Sequence, residues 1–186
     1  AVHIMGHIPH LELLPFTHTG SEAVQMCLRA ARAFTGRRVV GKFEGNYHGG
    51  MEGPPLVSGT SFDGPEEEPV AVPEGSGQPA GVQDVTLVLP YNNIEATVAL
   101  IERHAHELAA VLLEPVCGHW LAGVAAEQPF LEALREVTAR HGVLLVYDEV
   151  LTGFRIALGG TVERTGVVPD LTALAKTIGG GFPLGA

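Results

Sequence analysis

Residues 109–149 read AAVLLEPVCGHWLAGVAAEQPFLEALREVTARHGVLLVYDE. Two runs in this stretch, 109–113 and 143–147, are apolar at every position and of strand length. A strand with one face in water alternates apolar and polar residues, whereas one covered by helices on both faces does not. Between the runs, residues 128–141 place Phe130, Leu131, Leu134, Val137 and His141 at helical spacing, and Gly142 supplies a stop. Strand, helix and strand in that order make a βαβ unit. The fold expected is therefore α/β, a mostly parallel sheet flanked by helices.

The same pattern extends outward. Residues 39–43 form a third strand-length run, and residues 94–108 carry Ile94, Val98, Ile101, Ala105 and Leu108 on one helical stripe. Residues 20–35 place Val24, Cys27, Leu28, Ala31 and Phe34 on one face, with Thr19 and Glu22 at capping-box spacing in front and Gly36 behind. Residues 49–83 break the rhythm. They hold eight glycines, six prolines and six acidic residues, with no lysine or arginine. Residues 49–84 are read as one long Gly/Pro-rich acidic loop, of the kind that is functional or mobile inside a compact domain.

Residues 49–83 supply six of the negative charges behind the net charge of −10. The acidity is local, and without a basic stripe nucleic acid is not an expected partner. No apolar run is long enough to span a bilayer, so no membrane is expected either. Cys27 and Cys117 stand far apart in no CxxC pattern, which fits a reducing cytoplasm better than a disulfide framework. The chain begins at Ala1 and ends at Ala186, just after the apolar turn FPLGA. We read it as an internal fragment of a longer enzyme.

Ligands of open α/β sheets collect at the carboxyl ends of the strands. Glu44 to His48, Glu114, and Asp148 with Glu149 follow the three runs and are expected to face one crevice. The chain has two lysines, Lys42 and Lys176. Lys42 lies inside a strand and is expected to reach its edge. Lys176 follows the apolar residues 171–175 and precedes a glycine-rich turn, where partial desolvation would favour a neutral, nucleophilic amine. Asp148, after a fully apolar strand, suits a carboxylate that keeps a pyridine nitrogen protonated, though an aspartate that caps the next turn would look the same. FTHTGSEA, residues 16–23, runs from a turn into a helix start where Gly20, Ser21 and free amides favour a phosphate. A nucleophilic lysine, a buried aspartate and a phosphate seat together are what pyridoxal phosphate requires. Residues 179–185, GGGFPLG, lack the third glycine of a dinucleotide fingerprint, and no GxxxxGK loop is present. No metal site is expected: His3, His7 and His10 share a helical spacing, but Pro9 interrupts it. His18, His48 and His119 flank the crevice as supporting residues.

With these residues in view, the sequence resembles the class III aminotransferases, fold-type I enzymes that use pyridoxal 5'-phosphate. The resemblance is carried by residues 16–49, by LPYNNIEA and VLLEPVCGHW, and by residues 143–186 with YDEVLTGFR and PDLTALAKTIGGGFPLGA. Within the family it is strongest to glutamate-1-semialdehyde aminomutases, and aminotransferase domains linked to polyketide or peptide synthases share much of it. The resemblance implies that the chain is part of the large cofactor-binding domain, without the N-terminal segment and the C-terminal small domain. It implies that Lys176 joins the cofactor and moves the proton, that Asp148 pairs with the ring nitrogen, and that Gly20 and Ser21 bind the phosphate. Tyr47 and Val150 would flank the ring, and Glu114 belongs to a motif near it. The expected substrate is a small-molecule amine or amino acid, and the expected assembly a homodimer. Mutase and transaminase both remain open, and a non-catalytic α/β module is the reading from another class. His18 and His119 stand where asparagine is usual.

Overall fold

The computed structural model describes residues 1–60, 62–121 and 123–186. Its centre is a five-stranded parallel sheet in the order β2-β1-β3-β6-β7, made of β1 (Val39–Phe43), β2 (Thr86–Leu89), β3 (Leu108–Leu113), β6 (Leu144–Asp148) and β7 (Leu171–Ala173). α2 (Gly20–Thr35) covers one face, and α3 (Ile94–His104) with α4 (Gln128–His141) covers the other. The remaining elements are α1 (Val2–His7), α5 (Gly160–Thr165) and a small antiparallel pair of β4 (Val116–Cys117) with β5 (Val124–Ala125).

Every residue of β1 and β3 is buried, as a strand between two helical layers must be. Successive side chains go to opposite sides. Val40, Ala110, Leu112 and Val146 meet Ala23, Val24, Leu28 and Ala31 of α2. Phe43, Val111, Leu113, Leu145 and Tyr147 meet Leu100, Ile101, Phe130, Leu131 and Leu134 on the other side. Phe43 packs edge-on to Phe130 and Tyr91, with ring centroids 5.5 and 5.8 Å away.

The helix over 94–108 is shorter than its spacing predicts. It ends at His104, and Leu108 opens β3. A turn closed by the Glu107 amide on the His104 carbonyl separates the two, and Leu108 satisfies the helical and the strand pattern alike. β6 ends one residue later than the apolar run, so Asp148 is its last residue. β2 and β7, of four and three residues, do not stand out in the sequence. Gly185 exchanges backbone hydrogen bonds with Thr17 in an antiparallel bridge, and Ala186 does so with Leu174 on the other side.

The order of strands places a switch point at β1. The chain steps from β1 to β2 on one side, then returns to lay β3 on the other. A crevice opens above such a point, beyond the carboxyl ends of the strands. Part of the long loop folds back over this end: Val57 and Ser58 are buried, Val57 bridges Pro73, and the Gly45 amide donates to Ser58 O.

Candidate active site

A cavity of about 410 Å³ lies at the carboxyl ends of β1, β3 and β6, against the N-terminus of α2. Gly20, Ser21, Tyr47, Glu114, Asp148, Val150 and Lys176 all line it, although they span most of the chain. So do the three histidines expected as supporting residues, His18, His48 and His119.

The α2 end is built by a capping box. The Glu22 amide donates to Thr19 Oγ1 at 3.1 Å, and Glu22 Oε2 accepts from the Thr19 amide at 3.1 Å. Glu22 Oε2 also accepts from the His18 amide at 2.7 Å. With those groups tied, the Gly20 and Ser21 amides are left at the start of a 16-residue helix, where the backbone dipole favours an anion. A Cβ at Gly20 would stand 2.8 and 2.9 Å from the Val150 methyls, so only glycine permits this approach.

Asp148 is buried at the end of β6. Its Oδ1 accepts from the Val150 amide at 3.1 Å, and His48 Nδ1 stands 2.8 Å from Oδ2. A carboxylate accepts, so this nitrogen carries the imidazole proton. His48 Nε2 is buried without a partner among the described residues. His48 is carried in just beyond β1, and sequence reading did not pair it with Asp148. The only local signal was its position at the same end of the sheet.

Glu114 follows β3 and its carboxylate accepts from the Tyr47 amide at 2.5 Å and the Gly118 amide at 3.2 Å. Burial pushes its acidity down, raising the pKa, while the nearby His48 and the Tyr47 amide oppose this. Tyr47 stacks on His119 with centroids 4.2 Å apart and planes 18° apart, and Trp120 stands edge-on to both. Glu149, also read from the sequence as a strand-end candidate, has a different place. Its carboxylate accepts from Thr152 Oγ1, Thr161 Oγ1 and the Thr161 amide, closing residues 149–161 on themselves.

Lys176 rises from the sheet on a turn after β7, with φ of 43°. Residues 172–175 beneath it are buried, but Lys176 is exposed, against the partial desolvation expected from its neighbours. The turn leaves Lys176 in the lining of the cavity, together with Phe182 and Leu184. Phe182 to Leu184, Gly49 and Leu151 line the cavity too and were missed, because apolar and glycine residues in loops carry no chemical signal of their own.

The donors fit one kind of molecule. A helix N-terminus takes an anion, an opposed carboxylate takes a protonated ring nitrogen, flat and branched side chains take the ring faces, and an amine takes a carbonyl. A family model described as aminotransferase class-III matches residues 1–186. The chain belongs to that family. It is 43% identical over 98% of its length to a glutamate-1-semialdehyde 2,1-aminomutase of Pyrobaculum calidifontis, covering 40% of that protein. Among solved structures it is similar to an omega-transaminase from Sphaerobacter thermophilus, with 45% identity and a TM-score of 0.92 over 98% of this chain and 41% of that one. It is also similar to a glutamate-1-semialdehyde aminomutase from Pseudomonas aeruginosa PAO1 in complex with PMP, with 30% identity and a TM-score of 0.84 over 99% of this chain and 38% of that one. The class III chain thus spans about two fifths of the length of the relatives it matches.

Proposed function

We propose that the complete protein is a pyridoxal-phosphate enzyme that moves an amino group, most like a glutamate-1-semialdehyde 2,1-aminomutase. The observation that carries this is the meeting of Lys176, Asp148 and the α2 N-terminus around one cavity. When bound, the cofactor supplies an electron sink that acidifies the C–H beside the substrate nitrogen.

The chain's residues divide the work. The Gly20 and Ser21 amides and the Ser21 hydroxyl hold the phosphate. Asp148 accepts a hydrogen bond from the protonated ring nitrogen, and His48 Nδ1 holds the Asp148 carboxylate. Val150 and Tyr47 flank the ring and exclude water. Glu114 holds the Tyr47 backbone. Lys176 fastens the cofactor through its amine and, as the one lysine of the lining, takes and returns the proton at the substrate carbon. The substrate is a small amine or amino acid, and residues 1–186 are part of the large domain, with residues 49–84 as its loop. The working unit is a homodimer. Both cysteines are free, which supports a cytoplasmic setting.

A second reading is a transaminase acting on an ω-amino compound. The likeness to the omega-transaminase favours it, as do the aromatic rings of His119 and Trp120 beside Tyr47, which offer an apolar substituent a surface to lie on.

The test is a visible absorption spectrum of the complete protein with pyridoxal phosphate, beside a Lys176→Ala variant. A band bleached by borohydride, with the label recovered on the Lys176 peptide and absent from the variant, is expected. No band, or a covalent adduct unchanged in the variant, would sink the reading. A requirement for an external amino acceptor then separates transaminase from mutase.

A further inference from the structure

We propose that Lys42 is a positioning residue for the Tyr47 wall of the cavity: its buried amine holds the turn that sets Tyr47 and, through Asn46 and Glu114, the turn that sets His119. The inference rests on reading the cavity as the cofactor site, since only then does the height of that wall govern binding.

Lysine is rarely buried, because its charge is strongly hydrated. Lys42 is nevertheless wholly buried, in the middle layer of the fold rather than at the strand edge expected from its sequence. Its Nζ donates to Asn46 O at 3.0 Å. Asn46, also wholly buried, accepts the Glu114 amide on its Oδ1 at 2.8 Å. The Glu114 carboxylate then reaches forward to the Tyr47 and Gly118 amides. Tyr47 and His119 are the next side chains along and stack on each other. A continuous set of hydrogen bonds therefore runs from inside β1 to the cavity wall.

The Asn46 carbonyl is the hydrogen-bond partner of the amine among the described residues. The amine does not line the cavity. An apolar side chain of the same length would fill the space at lower desolvation cost but would leave the Asn46 carbonyl without this donor. Burial pushes the Lys42 pKa down to about 8, and the carboxylates of Glu74 and Glu114 act against that. Glu74 comes from the acidic loop, where it accepts the Gly59 and Thr60 amides. The loop thus delivers a counter-charge to the lysine that has no charged partner in its own strand.

The test is a double-mutant cycle in the complete protein, with Lys42→Met made alone and with Tyr47→Ala. Two readouts are used, pyridoxal phosphate affinity and the Trp120 emission, the latter taken as a difference from Trp120→Phe. Lys42→Met should shift Trp120 emission without cofactor and weaken cofactor binding about tenfold, and by less than about twofold once Tyr47 is already alanine. If Lys42→Met does not fold, Asn46→Ala cuts the next link and carries the same expectation. Penalties that simply multiply, or an unmoved Trp120 emission, overturn the proposal. If the unsubstituted protein binds no pyridoxal phosphate, the functional reading fails instead, and Trp120 emission still decides whether Lys42 holds the wall.

Discussion

At position 20 an added methyl would meet both Val150 methyls at under 3 Å and Ala175 Cβ at 3.2 Å. Gly20→Ala should therefore lower pyridoxal phosphate affinity by about tenfold, the scale of a modest overpacking penalty, and Val150→Ala in the same chain should recover part of it. Equilibrium titration with the cofactor checks both. Asp148→Asn keeps the shape but removes the charge, and should cut amine transfer by about a hundredfold or more in single-turnover assays. Full turnover in that variant would remove Asp148 from the chemistry. Asp148 was legible as a carboxylate placed just past an apolar strand. Its bond to His48 was not, since 100 residues separate them and only the neighbouring of β1, β3 and β6 closes the gap.

Single elements were legible where local chemistry closes them. Thr19 and Glu22 make the reciprocal cap that their spacing predicts, and α2 and α4 end on Gly36 and Gly142 with φ of 69° and 61°. Thr19→Ala should cost about 1 kcal/mol of stability, read as an earlier urea midpoint at unchanged slope. An unmoved midpoint would mean that the Glu22 side chain alone holds the turn. The cap has a second consequence, because it ties the Glu22 amide and leaves those of Gly20 and Ser21 to an anion. Thr19→Ala should thus also loosen phosphate compounds more than phosphate-free pyridoxal, which competition titration would show. Boundaries were less legible. Leu108 fits both the stripe of α3 and the run of β3, and only the turn at residues 104–107 decides between them.

For the molecule as a whole, the buried Lys42 makes stability depend on pH in a definite direction. Its folded pKa, about 8, lies below the ordinary lysine value of about 10.4. In that window the unfolded chain binds the proton and the folded chain does not, so this group's contribution to stability rises with pH. The gain across the window is on the order of 3 kcal/mol. Urea unfolding at both ends of it should show the wild type gaining relative to Lys42→Met, and parallel pH profiles would contradict the assignment. The sequence by itself determined the α/β class, the layers on either side of the sheet and a set of residues that come to line one cavity. Those follow from periodicities of apolar side chains and from caps and turns closed within a few residues. Tertiary structure alone decided the strand order, the pairing of His48 with Asp148, the exposure of Lys176 and the burial of Lys42. Each of these depends on which distant segments become neighbours, and that is fixed only when both faces of the sheet are covered at once.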